Sequence, residues 1–155
     1  MTDYILSIRP KWAQMIFSGK KTAEIRKSAP RALVSTKAPL RVWVYETKSE
    51  GGCGKLVGTF ICRRIEWLNA VDFSTRSKLL VEIAHASCLT EEQLKAYKGA
   101  AGRIFAWEIG DVRRLREPLE LDEVFSGRDL PPQNRGEGPA GTAHQGFAVT
   151  TPATG

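Results

Sequence analysis

The first quarter of the chain changes its hydrophobic rhythm twice. Tyr4-Ile5-Leu6-Ser7-Ile8 is apolar at nearly every position and predicts a short first strand. Pro10 suits the first turn of a helix, where its missing N–H leaves nothing unsatisfied. Ala13, Ile16 and Phe17 then recur at helical spacing, with Trp12 and Met15 beside them, and Gly19 is placed to stop the helix. From Lys21 to Arg26 the period drops to two: Ala23 and Ile25 share one face, and Thr22, Glu24 and Arg26 share the other. This predicts a second strand.

A polar loop holding Pro30 and Pro39 leads to Arg41–Thr47, whose β-branched and aromatic residues predict a third strand. Val42 and Val44 lie on one face, Trp43, Tyr45 and Thr47 on the other. The Gly-rich stretch Ser49–Gly54 reads as a turn, and a long strand is expected from Lys55 to about Trp67. Residues 73–98 read as helical, in two pieces broken near Ser87–Thr90, with Thr90 capping the second ahead of Glu91 and Glu92. Arg103–Ile109 alternates through Phe105, Trp107 and Ile109 as a further strand, and Arg113–Leu121 is a shorter candidate. Trp12, Phe17, Trp43, Trp67 and Trp107 are expected in the core, and His85 reads as a helix-face residue without a task. Strands with few regular crossovers argue for an α+β fold with a mixed, largely antiparallel sheet or barrel.

The texture changes after Phe125. Pro131, Pro132 and a run of glycines leave too little apolar surface to order a segment alone, so 126–155 is expected to be a flexible Gly/Pro-rich tail behind one domain over 1–125. Contact of the tail with the domain is open at Pro131-Pro132-Gln133 and Phe147. No stretch has the apolar length of a membrane span, and the N-terminus lacks a basic region followed by an apolar run; a cytoplasmic protein is expected. Cys53, Cys62 and Cys88 are irregularly spaced and have two histidines for company, so neither a zinc site nor any other cofactor is expected.

Charge sharpens the picture. The formal net charge is +6, and residues 1–48 hold Arg9, Lys11, Lys20, Lys21, Arg26, Lys27, Arg31, Lys37, Arg41 and Lys48 against Asp3, Glu24 and Glu46. A one-sided positive field attracts polyanions. Lys20 and Lys21 follow a predicted helix end, where they would meet a phosphate or complement the helix dipole. Glu24 and Arg26 share a strand face, either as a structural ion pair or with Arg26 on a phosphate or base edge and Glu24 as a general base. Tyr45 offers a ring for base stacking or core packing. Ser7, Lys11 and Lys55 add donors nearby.

Gly19-Lys20-Lys21-Thr22-Ala23-Glu24-Ile25-Arg26 matches G-x-K-x-x-E-x-R. With the preceding Ser7-Ile8-Arg9-Pro10 and Phe17-Ser18-Gly19, and the following Tyr45-Glu46-Thr47 and Gly54-Lys55-Leu56-Val57-Gly58, the chain resembles the ASCH (activating signal cointegrator homology) family over roughly residues 4–121. That resemblance implies a PUA-like β-barrel of mostly antiparallel strands with short helices. It also implies a cleft beside the motif, and RNA or nucleotide binding in RNA metabolism or in transcription and translation. Ligand contacts would fall to Ser7, Lys11, Lys20, Lys21, Glu24, Arg26, Tyr45 and Lys55. Some family members hydrolyse RNA or a modified nucleoside. Here a metal-independent hydrolase would draw on Lys21, Glu24, Tyr45 and Lys55. The subgroup that deacylates N4-acetylcytidine carries a threonine where this chain has Glu24, so the resemblance does not extend to that nucleophile. A protein-interaction module, with a protein partner in place of RNA, is the third reading.

Overall fold

The structure is a computed structural model that describes residues 1–30 and 38–125 in full and the backbone of 133–138 and 142–149. The fold is mixed α+β. β1 (Thr2–Ile8) is buried on both faces: Leu6 and Ile8 enter one core cluster, Ile5 another. Such two-sided burial belongs to an interior strand, and β1 lies between β3 (Leu40–Glu46), with which it is parallel, and β9 (Thr142–Val149), with which it is antiparallel. The parallel pairing requires a long crossover. That crossover is residues 9–39, which hold α1 (Pro10–Phe17) and β2 (Ala23–Arg26).

β4 (Lys55–Cys62) pairs antiparallel with β3 and with β7 (Gly110–Leu119), giving a six-stranded sheet in the order β7-β4-β3-β1-β9-β8, where β8 is Gln133–Gly138. A second, three-stranded antiparallel sheet runs β2-β6-β5, with β5 at Ile65–Asn69 and β6 at Arg103–Glu108. Three helices, α2 (Ala70–Thr75), α3 (Lys78–Ser87) and α4 (Glu91–Lys98), fill the connection from β5 to β6. α3 and α4 cover the Ala23, Ile25, Ile104 and Ala106 face of the small sheet with Leu80, Ile83, Leu94 and Tyr97. A last short helix, α5, spans Leu121–Val124.

Four expectations are corrected, the first being the core place read for Trp67, which is 43% exposed. No sheet closes into a barrel: among the described strands the large sheet ends on β7 and β8, and the small one on β2 and β5. The strand expected over 55–67 is two strands, because the chain leaves the large sheet at Arg63-Arg64 and enters the small one; the return crossing is at Ile109. The helical stretch is three helices. Left-handed backbone at Arg76 (φ 50°) ends α2, in addition to the stop at Cys88 (φ 60°) that ends α3. Apart from these, the segment after Phe125 carries two strands, and Phe147, one of the points where its contact with the domain was left open, stands opposite Ile5; the remainder of the segment lies outside the described residues. Thr90 caps α4 as its sequence predicts: its hydroxyl accepts the Gln93 N–H, and the Gln93 side chain accepts the Thr90 N–H in return.

Cys62 is fully buried in the first core cluster, and burial pushes its thiol up to about 12. Unfolded, it would ionise near its ordinary value of 9.0. The folded pKa is the raised one, so this contribution is intact below pH 9 and shrinks as pH climbs towards 12. At ~1.4 kcal/mol per unit it amounts to about 2 kcal/mol of lost stability by about pH 10.5. Urea titrations at stepped pH will show a steeper alkaline loss in the wild type than in Cys62→Ala, by about this amount, measured against each protein's own neutral-pH value.

Candidate functional site

The chain from Gly19 to Thr22 is fixed before any side chain is considered. Gly19, at φ 82°, ends α1, and the Lys21 N–H donates to the Met15 carbonyl. The Thr22 N–H donates to the carbonyl of Ala86, and the Cys88 thiol to that of Lys20. This strap lies across the C-terminal end of α3, where the last carbonyls have no partner within the helix. Lys21 takes one of them: its ammonium donates to the Ser87 carbonyl at 2.7 Å.

The same ammonium is 3.8 Å from Glu24, and the other Glu24 oxygen is 3.4 Å from the Arg26 guanidinium. Arg26 also donates to the Ser7 carbonyl at 3.0 Å. Exposure is 2% for Lys21 and 3% for Glu24 and Arg26, so the two strand residues expected on an open face are sealed inside. β2 is sandwiched: Ala23 and Ile25 pack on the helices, while Arg26 reaches to the end of β1. Burial lowers the pKa of Lys21, and the Glu24 carboxylate works against that shift. Burial likewise lowers Arg26. Trp12 completes the surroundings, with its ring 4.9 Å from the Lys21 nitrogen and 4.9 Å from that of exposed Lys11.

A second group lies on β3 and β4. Tyr45 is half-buried against Ile5, Leu56 and Phe125. Its hydroxyl pKa is raised by burial first, then by the negative charge of Glu120 and Cys53. Lys55, near the neighbouring position of β4, is 3.4 Å from Glu120. Ser7 joins the groups, because it is the register partner of Tyr45 and its carbonyl holds Arg26. The structure therefore brings together Ser7, Lys21, Glu24 and Arg26 as one buried network. Tyr45 and Lys55 stand next to it on the more open side, and Lys11 sits across Trp12. Lys20 stands apart, on the rim of a shallow hollow with His85, Cys88 and Glu91. A smaller hollow of about 250 Å³ takes Thr22 and Ala23 in its wall, opposite Leu79, Ile83 and Glu108. Neither hollow is lined by Lys21, Glu24 or Arg26.

Sequence reasoning missed Ser87, Trp12 and Glu120. Ser87 had a readable signal: it closes a helix ahead of a residue in the left-handed region, and such a carbonyl needs a donor. Glu120 had none, since its role arises only from β4–β7 pairing. Among the described residues no cluster of three or more His, Cys, Asp or Glu could hold a metal, and no helix is long and apolar enough to cross a membrane.

A sequence model of the ASCH domain matches residues 6–120. The chain belongs to the ASCH family. Among similar proteins, a Zymomonas mobilis relative named ASCH domain-containing ribonuclease is 26% identical over 134 residues, spanning 85% of this ASCH chain and 81% of the relative. The crystal structure of ASCH from Zymomonas mobilis superposes with a TM-score of 0.58 at 26% identity, covering 78% of this chain and 75% of that one. A serine-to-alanine variant of that protein gives 0.59 over the same shares, also at 26% identity.

Proposed function

We propose that this ASCH domain is a ribonuclease that cuts single-stranded RNA without a metal ion. The reading is carried by its likeness to an ASCH ribonuclease over 85% of its length. The geometry supports a division of labour. Lys21, Glu24 and Arg26 act from beneath: they fix β2 against the end of β1 and the end of α3, and through Ser7 they set the position of Tyr45. Tyr45 and Lys55 meet the RNA.

In the reaction a ribose 2′-oxygen attacks the adjacent phosphorus and the bond to the 5′-oxygen breaks, leaving a cyclic phosphate and a 5′-hydroxyl. Glu120, within reach of Lys55, takes the 2′-hydroxyl proton. Tyr45, a phenol protonated at neutral pH, gives its proton to the departing 5′-oxygen. Lys55 supplies positive charge to the phosphate.

Tyr45→Phe removes one hydroxyl and leaves the packing intact. It is expected to slow cleavage of a labelled single-stranded RNA by at least ~10²-fold with little change in affinity. Wild-type cleavage is expected to persist in EDTA. A wild-type protein that binds this RNA and never cuts it would be a binding domain; one that does neither, at physiological salt, would end the nucleic-acid reading.

A further inference from the structure

We propose that Arg113, Arg114 and Arg116 of the edge strand β7 form a track for the phosphate backbone of single-stranded RNA. The proposal rests on the RNA reading above and assigns a surface that the motif does not include.

The first observation is how the molecule treats its other arginines. Among the described residues Arg9 meets Glu50, Arg26 meets Glu24, Arg41 meets Asp3, Arg63 meets Asp111, Arg64 meets Glu66 and Glu108, and Arg76 meets Glu91. Arg103 lies over the rings of Trp67 and Phe105. The three on β7 are exposed, and no described carboxylate pairs with any of them, although Glu117 is a near neighbour in sequence. Unpaired exposed guanidiniums within four residues leave donor forks open for phosphate oxygens.

The second observation is that the strand is shaped to present them. Register slips between Leu56 and Gly58: Leu56 faces Leu119 while Gly58 faces Arg114, so extra β7 residues bulge out there. Leu115 turns into the third core cluster and Arg116 is left outside. Bulges of this kind re-aim side chains, often beside functional sites.

Third, Arg114 is seated. Its guanidinium carbon is 5.0 Å from the Phe17 ring centre. That ring lies so close over Gly58 that a Cβ there would come within 2.4 Å of it. The bare Gly58 thus lets the Phe17 ring approach β4 closely, beneath Arg114.

Lys55 is three residues from Gly58 along β4, about 10 Å at ~3.4 Å per residue. β7 ends at Leu119, next to Glu120, the partner of Lys55. Arg114 shares the Phe17 face of the sheet and Tyr45 belongs to the third core cluster on the other, so the phosphates are met along the outer edge of β7, the last strand of the large sheet. A solvated edge strand, charged only to discourage sheet-to-sheet pairing, is the competing account of these residues.

The test measures binding of a fluorescent single-stranded oligoribonucleotide across a KCl series. It uses the wild type, the triple variant Arg113→Gln/Arg114→Gln/Arg116→Gln, and a charge-matched control, Arg9→Gln/Arg63→Gln/Arg76→Gln. Loss of three phosphate contacts is expected to make the slope of log Kd against log salt shallower by about 2 in the β7 variant. The control keeps the wild-type slope and the wild-type cleavage rate. Should the triple variant melt early, Arg113→Gln and Arg116→Gln singly, each expected to shift the slope by ~0.7, decide the matter. A β7 variant with the wild-type slope, or a control shifted equally, overturns the track and leaves the ribonuclease reading standing. Absence of RNA binding by the wild type overturns both.

Discussion

Glu24→Gln should destabilise the domain by about 3–5 kcal/mol, because it deprives two buried cations of the carboxylate they share. Lys21 and Arg26 are 2% and 3% exposed, so water cannot take the place of Glu24. The partner substitution behaves differently. Lys21→Met removes a cation and leaves Glu24 with Arg26, so its main loss is the donor to the Ser87 carbonyl, about 1–3 kcal/mol. Urea unfolding followed by tryptophan fluorescence separates the two, and the order is the informative result. Equal midpoints for Glu24→Gln and the wild type would mean that the carboxylate is not held between the cations in solution.

Trp107→Ala is expected to cost about 3–5 kcal/mol, the range for emptying a large aromatic site. Trp107 is 1% exposed near the end of β6, the central strand of the small sheet, where it stands opposite Glu24 on one side and Ile65 on the other. Its ring meets Tyr4 edge-on at 5.9 Å, tying the small sheet to β1. Its indole N–H donates to the Ser28 carbonyl at 3.2 Å, holding the chain as it leaves β2. Trp107→Phe separates these roles: it keeps most of the packing and loses the hydrogen bond, for about 0.5–1.5 kcal/mol. Thermal melts of the two variants side by side check the division. A Trp107→Phe protein as unstable as Trp107→Ala would place the weight on the Ser28 contact.

These two sites show what could be read from the chain and what could not. β1, α1, β3 and β6 declare themselves through short-range periodicity, and Trp107 falls in the core as its alternation with Phe105 and Ile109 suggests. The change of sheet at Arg63-Arg64 leaves no such trace, since two arginines between apolar runs look like an exposed part of one strand. Nor does the parallel pairing of β1 with β3, which depends on contacts far apart in sequence. The motif residues were legible as a group, and their burial was not. Alternation marks Glu24 and Arg26 as the polar face of β2, and only the approach of the β1 end turns that face inward. Tyr45 and Lys55 were found one by one; their shared neighbour Glu120 comes from strand pairing.

The placement of β1 also bears on how the chain matures. Its pairing with β9 joins Asp3 to Val149 and Leu6 to Gly146, and the small sheet joins Ala23 to Glu108. Contacts this distant close large loops before they return any stability, which slows assembly. While a nascent chain leaves the ribosome, one edge of its central apolar strand stays bare until the last strands emerge, and it is then a template for another chain. Yield in a cell should therefore respond to synthesis rate and to chaperone supply more steeply than the stability of the finished domain would suggest.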